Sequence, residues 1–382
     1  VYKRQVNDYL ETKGVPCQEL SSFLTNEYFC ESMQEARQAV AQITLELDQA
    51  YAKAISSTLK IHEMHYFTPY FYYLGKHEYS SAKRLKTALQ KILDQNIFRE
   101  VLLYQSVKTQ WFGREDILIH LLNEFSLNFL FTLKVRKNQL PAKNKFLQKF
   151  KDALENPQLV YKVLKRKILQ LFRETLIYND PGRKNILLIR PLYGLNFLEN
   201  EIKKYNLISW PWQKTSQRTK TLDIAEQLDQ ILPLLSREQP VHTQDSDNSI
   251  FYWLKKNYLE HFRNNLPSIL DNLMKLDQIH QEHGIDLAVW GNSPNEGEKA
   301  LVVEYLLKKG VTVVGSQHGG NVGTQQIWTD LDVEFLCTHY LSYGFDIGDY
   351  KDLYPDNYNS ISCSVIPVGS YYEYEKKKSH GN

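Results

Sequence analysis

Gln317-His318-Gly319-Gly320-Asn321 is the stretch of this chain whose residue types and spacing most invite chemistry. A histidine at the end of a buried strand can act as a general base near neutral pH, or donate to an anionic oxygen. Its flanking glycines let a ligand approach the backbone. A histidine that merely satisfies loop carbonyls fits the same pattern. A second polar turn, Gly291-Asn292-Ser293, lies upstream. Other familiar signatures are missing from the sequence. There is no G-x-x-x-x-G-K-[ST], no G-x-S-x-G and no complete G-x-G-x-x-G after a strand, which weakens P-loop, α/β-hydrolase and dinucleotide-oxidoreductase readings. His62-Glu63-Met64-His65 does not make a zinc motif, because its histidines are three apart rather than four and no third ligand is in view.

The elements that must position these turns can be read directly. Ile285 to Trp290 and Val311 to Gly315 are short apolar runs of strand length, and Ala300, Leu301, Val303, Glu304 and Leu307 between them follow a helical rhythm. Ser293-Pro294-Asn295-Glu296 reads as a capping box, and Gly310 stands where a left-handed C-cap residue belongs. The unit is βαβ, so both polar turns fall beyond the carboxyl ends of strands, where ligands of open α/β sheets bind. Asn185 to Ile189 is a buried-strand run leading into Arg190-Pro191-Leu192-Tyr193-Gly194, with a helix expected from about Phe197. Phe251 to His261 and Pro267 to His280 read as two helices parted by Asn264-Asn265 and closed by Gly284. Phe335 to Tyr343 and Val365 to Val368 are further strand candidates. The expected fold class is α/β: a mainly helical region over 1–180, a Rossmann-like doubly wound parallel-sheet domain over 181–370, and a crossover or tail over 371–382.

The helical region offers two features. Glu31 to Ser56 is rich in helix formers at amphipathic spacing, and the aromatic segment His65 to Leu74, interrupted by Pro69, reads as a helix start packed into a core. A stacking platform for a sugar or base is the sharper alternative. From Lys134 to Arg173 twelve basic residues face only Asp152 and Glu155, and Val160, Leu164, Ile168 and Leu171 form an apolar stripe. The expectation is an amphipathic helix with a basic face, either solvated or touching an anionic membrane surface. No nucleic-acid recognition motif accompanies it.

Composition sets the outer bounds. The 382 residues carry 46 basic against 44 acidic side chains, a net charge of +2 that implies no nucleic-acid partner. Cys17, Cys30, Cys337 and Cys363 form no C-x-x-C pair, which fits a reducing, cytoplasmic setting. No apolar run approaches the ~20 residues needed to span a bilayer, and no signal peptide is visible. The chain begins at Val1 and stops soon after a strand-like segment, so a truncated reading frame is expected.

Taken together, Gln317-His318-Gly319-Gly320, the following Asp332-Val333-Glu334-Phe335-Leu336 and Tyr343-Gly344-Phe345, the run from Ile186 through Tyr193 to Asn200, and Pro367-Val368-Gly369-Ser370 resemble a family of bacterial transferases of surface-carbohydrate biosynthesis with a GT-B-like architecture. The likeness covers about residues 184 to 370, and Q-H-G at a strand end also occurs in glycerophosphotransferases, Kdo transferases and sugar-epimerase relatives. It implies two Rossmann-like domains around a cleft, with a nucleotide sugar as donor and a polysaccharide or lipid-linked glycan as acceptor. This chain would hold the first domain and lack the C-terminal donor domain. His318 would be the base or phosphate contact. Arg190 would offer a cation to phosphate or carboxylate, and Gly319 and Gly320 would line the donor approach. Tyr193, Asn292, Ser293, Gln317 and Asn321 would complete the substrate-binding set. No Asp-x-Asp pair stands out, since Asp330 and Asp332 read as loop and strand-start residues, so no metal or other cofactor is expected. The location implied is cytoplasmic, peripheral at the inner membrane face. A non-catalytic sugar- or nucleotide-binding scaffold of envelope assembly and a nucleotide-sugar epimerase are the competing readings.

Overall fold

The computed structural model describes residues 24–95, 97–105, 114–137, 182–190, 204–209, 222–236, 249–290, 297–317, 335–346, 348 and 363–369. Its elements run α1 (Asn26–Leu59), α2 (Phe67–Gln95), β1 (Glu100–Gln105), α3 (Arg114–Phe129), β2 (Thr132–Lys137), β3 (Asn185–Arg190), β4 (Asn206–Ser209), α4 (Leu222–Leu235), α5 (Ser249–His283), β5 (Leu287–Trp290), α6 (Gly297–Lys308), β6 (Thr312–Ser316), β7 (His339–Ser342) and β8 (Ser364–Pro367). The chain is an α/β protein whose sheets are parallel throughout. No described helix is long and apolar enough to cross a membrane.

Its contacts divide the chain into two units, each drawn from three segments. The first takes residues 1–40, 75–142 and 247–251. Within it β1 and β2 pair in parallel on either side of α3 in the chain, a strand pair the sequence patterning does not announce. Lys134, one of the basic residues of the lopsided segment, pairs with Glu100 at 2.5 Å across these strands. The remainder of that basic segment, with its expected amphipathic helix, lies outside the described residues. Two hydroxyls, Ser32 and Ser80, meet at 2.9 Å in the buried seam of this unit.

The second unit takes residues 41–74, 143–246 and 252–382. It holds a six-stranded sheet in the order β4-β3-β5-β6-β7-β8. The first connection, β3 to β4, steps outward one way, and every later strand is added on the other side, so the order reverses between β3 and β5. From β4 to β7 one face of the sheet is buried. Leu187, Ala288 and Val313 lie side by side on it in register, and so do Trp290, Gly315 and Tyr340. Gly315 is the small member between two large rings: a Cβ there would come within 3.0 Å of Cys337 Sγ and 3.4 Å of Tyr340 Cδ2.

The expected βαβ unit is present as β5, α6 and β6, with its strands starting at Leu287 and Thr312 rather than Ile285 and Val311. Gly310 closes α6 at φ 76°. Its N–H donates to Leu307 O at 3.0 Å, while the Val311 N–H donates to Leu306 O at 3.0 Å. These are the two bonds of a Schellman cap. Gly284 closes α5 in the simpler left-handed form, at φ 66° with its N–H on His280 O at 2.9 Å. The two helices expected on either side of Asn264-Asn265 are one continuous helix, α5, with Pro267 inside it. Tyr258, Phe262, Leu266 and Leu270 are all fully buried along one stripe of α5. That burial outweighs the one backbone bond the proline removes. Strand β4 follows the region where a helix from about Phe197 is expected, and α4 falls in a stretch to which the sequence patterning assigns no element.

The start of α2 is fixed by a carboxylate from α1. Asp48, 3% exposed, accepts the N–H groups of Tyr66 at 2.6 Å and Phe67 at 2.9 Å on Oδ1. On Oδ2 it accepts the Thr68 N–H at 3.0 Å and the Thr68 hydroxyl at 2.8 Å. Orphan donors of a helix N-terminus and the positive end of its dipole are met by one buried anion.

Candidate functional site

Parallel strands all end on one edge, and the turns singled out in the sequence follow three adjacent strands there. The chain leaves β3 at Arg190, β5 at Trp290 and β6 at Ser316, and these strands are neighbours in the sheet. The backbones of Arg190 and Trp290 are register partners across the point where the strand order reverses, just past an irregularity at Leu188–Arg190. The Arg190 side chain, Tyr193, Asn292, Ser293, His318, Gly319, Gly320 and Asn321 lie outside the described residues, as does the capping box that precedes α6.

Gln317 is described, and it is 3% exposed. Its N–H donates to Leu341 O at 2.9 Å, and its Oε1 accepts the Tyr343 N–H at 2.6 Å. The residue expected to contact substrate thus ties the end of β6 to the end of β7.

Around the same edge stand residues that the sequence did not single out for chemistry. Trp290 closes β5 and is 1% exposed, and its indole N–H has no hydrogen-bond partner among the described residues. A buried donor left unpaired costs about 1–3 kcal/mol. Gly297 begins α6 and is buried against the first turn of α2, where a Cβ would come within 2.3 Å of Tyr70 O. Only a glycine lets the N-terminus of α6 approach the α2 backbone this closely.

Tyr70 meets His261 of α5, its hydroxyl 3.4 Å from Nε2. The Asn265 amide nitrogen lies 3.0 Å from the same Nε2 and donates to the His261 carbonyl at 2.8 Å. An amide nitrogen can only donate, so Nε2 is the acceptor and the ring proton sits on Nδ1. Burial pushes the His261 pKa down to about 4, and the imidazole is neutral at physiological pH. Burial, and then the negative charge of Glu298 on α6, pushes the Tyr70 phenol well above its ordinary value. The cluster is therefore a neutral hydrogen-bonded brace from α5 through α2 to the first turn of α6.

The rest of the aromatic segment serves packing. Tyr66, Phe67 and Phe71 are fully buried, Phe71 stacks on Tyr258 with centroids 4.5 Å apart, and Phe67 lies 4.6 Å from Phe262. No face of these rings is open to a sugar or base, so the stacking-platform alternative is set aside for them. The histidines at 62 and 65 play no joint role: both are exposed, and the His65 N–H reaches Glu304 Oε1 at 3.5 Å. Among the described residues no group of three or more His, Cys, Asp or Glu side chains is arranged to hold a metal ion. No protein-family model, no curated protein and no solved structure matches this chain.

Proposed function

We propose that the six-stranded unit is a Rossmann-like nucleotide-sugar-binding domain of a glycosyltransferase-like enzyme of GT-B-like architecture, acting on a surface polysaccharide or lipid-linked acceptor. The observation that carries this reading is the reversal of strand order between β3 and β5, with polar, glycine-bearing turns following β3, β5 and β6 in the sequence. Open parallel sheets bind their ligands beyond such a reversal. Trp290 closes β5 at the same point, and its indole N–H has no partner among the described residues, which is in keeping with an acceptor-bearing ligand there.

In this reading His318 takes the acceptor hydroxyl proton or contacts phosphate, Arg190 neutralises a phosphate, and the backbone of Gly319 and Gly320 lines the donor. Tyr193, Asn292, Ser293 and Asn321 contact the sugar or nucleotide, and Gln317 holds the His318 turn in place. Fold alone does not fix chemistry, so the test addresses the site. The full-length protein is incubated with UDP-, GDP-, CMP- and dTDP-linked sugars and a lipid-linked acceptor, and transfer is followed by mass spectrometry. His318→Ala should reduce transfer at least ~100-fold, the scale of a lost general base, without lowering the unfolding midpoint. Retained transfer in that variant overturns the catalytic role of His318. Donor conversion without acceptor would instead identify an epimerase, and donor binding without turnover a scaffold.

A further inference from the structure

At the other end of α5 a groove of about 390 Å³ lies between the last residues of α1, helix α4 and the C-terminal half of α5. Residues 271–281 lead through Gly284 into the start of β5, and Asp277 bonds Tyr305 and Lys309 where α6 leads into β6. The groove therefore stands by the amino ends of these strands, away from the edge that carries the His318 turn.

Its polar lining is Gln227, Asp271, Lys275, Asp277, Gln278 and Gln281. Their pairing leaves a mixed set of hydrogen-bonding groups with little uncompensated charge. Asp277 is neutralised by Lys309 at 3.2 Å and Asp271 by Lys275 at 2.6 Å. The amide nitrogens of Gln278 and Gln281 donate to Glu282 at 2.7 Å and Asp277 at 2.5 Å, which turns their carbonyl oxygens to other partners. The Gln227 carbonyl oxygen is buried and has no partner among the described residues. Lys275 has donors beyond the one that Asp271 takes. Leu59, Ile61, Leu273 and Met274 supply an apolar side.

Acceptors and donors set side by side, near neutrality and against an apolar wall, fit a ligand whose polar groups are both donor and acceptor and whose frame is C–H. Hydroxyls have that property. A cation would find its carboxylates already paired, and an anion would meet amide carbonyls. We propose that this groove is a saccharide-binding site separate from the sheet edge, sized for one or two sugar rings. It does not rest on the transferase reading.

The test is a glycan array probed with the intact chain, followed by calorimetry with the best-bound saccharide, and spermidine as the cationic control. Three variants are compared: Gln278→Ala/Gln281→Ala, which trims exposed amides from a helix surface; Met274→Trp, which fills the groove; and His318→Ala, which should leave this site intact. The expected result is saccharide binding weakened at least tenfold in the first two variants at unchanged unfolding midpoint, and unaltered in His318→Ala. The proposal is overturned if no arrayed saccharide binds, or if both groove variants bind within twofold of the native chain. It is also overturned if loss follows His318→Ala alone, or if spermidine rather than a saccharide is the ligand these variants lose.

Discussion

Replacing Asp48 with alanine removes the acceptor of four donors at once. Two of them, the N–H groups of Tyr66 and Phe67, belong to residues with no exposed surface, so water cannot replace the carboxylate there. The two Thr68 donors are only half-buried and regain a water partner more readily. Each fully buried orphan donor costs about 1–3 kcal/mol, and the variant also recovers the cost of holding an anion away from water. The net loss is expected near 3 kcal/mol, read as a fall in the urea midpoint followed by far-UV circular dichroism at constant m-value. Asp48→Asn keeps one carbonyl oxygen but turns an NH₂ toward two of the donors, so it should cost about half as much. Adding Thr68→Ala to Asp48→Asn should recover part of that loss, because it removes one of the opposed donors. An Asp48→Ala loss below about 1 kcal/mol, or an Asn variant no better than Ala, would refute the idea that this carboxylate fixes the start of α2.

Two buried groups give opposite pH signatures. Burial pushes the Glu78 carboxyl from 4.5 up to about 9. The folded chain therefore keeps a proton that the unfolded chain releases, and stability present below about pH 4 is lost as pH rises toward 9, by about 3 kcal/mol at pH 7. Glu78→Gln should flatten this decline between pH 5 and 8, and an unchanged slope in urea titrations would rule Glu78 out as its source. His261, pushed down to about 4, favours the fold above pH 6.5 and loses that contribution as pH falls toward 4. His261→Gln should show a shallower acid-side loss of melting temperature than the native chain, and a loss just as steep counts against a neutral buried imidazole. Gly297→Ala should destabilise by more than about 2 kcal/mol, because the added Cβ meets the Tyr70 carbonyl and neither backbone can yield cheaply; a thermal melt within 1 °C of the native chain would contradict the close approach.

The parts of the fold legible in the sequence are those specified locally. Asn185 to Ile189 is too apolar to lie anywhere but in a buried parallel strand, and Gly310 and Gly284 stop their helices through their own backbone freedom. Local signals misled where burial overrode them. Pro267 with Asn264-Asn265 reads as a break, yet fully buried side chains on both sides keep α5 whole. Strand β4 is four residues long and offers no clear period, whereas Leu228, Ile231 and Leu235 of α4 are spaced as on one face of a helix, a signal that Pro233 obscures. The edge that holds the candidate site follows from strand order once β3, β5 and β6 are recognised. The Tyr70–His261 contact does not, since 191 residues separate its partners and only the packing of α2 on α5 brings them together. Gln317 illustrates a further limit: a polar residue beside a histidine reads as ligand-binding until a backbone N–H 26 positions away is found on its side-chain oxygen.

Helix α5 runs 35 residues without interruption and carries His261 toward one edge of the sheet and Gln278 toward the other. At 1.5 Å per residue those two positions are about 25 Å apart along a single rod. Pro267 lies between them and leaves the carbonyl of Arg263 without its usual helical donor, so the rod has one designated point of compliance. A bend of about 5° there would carry the far end sideways by about 2 Å. Pro267 stands near the middle of α5, so a bend there would displace its two ends, one at each edge of the sheet, by similar amounts.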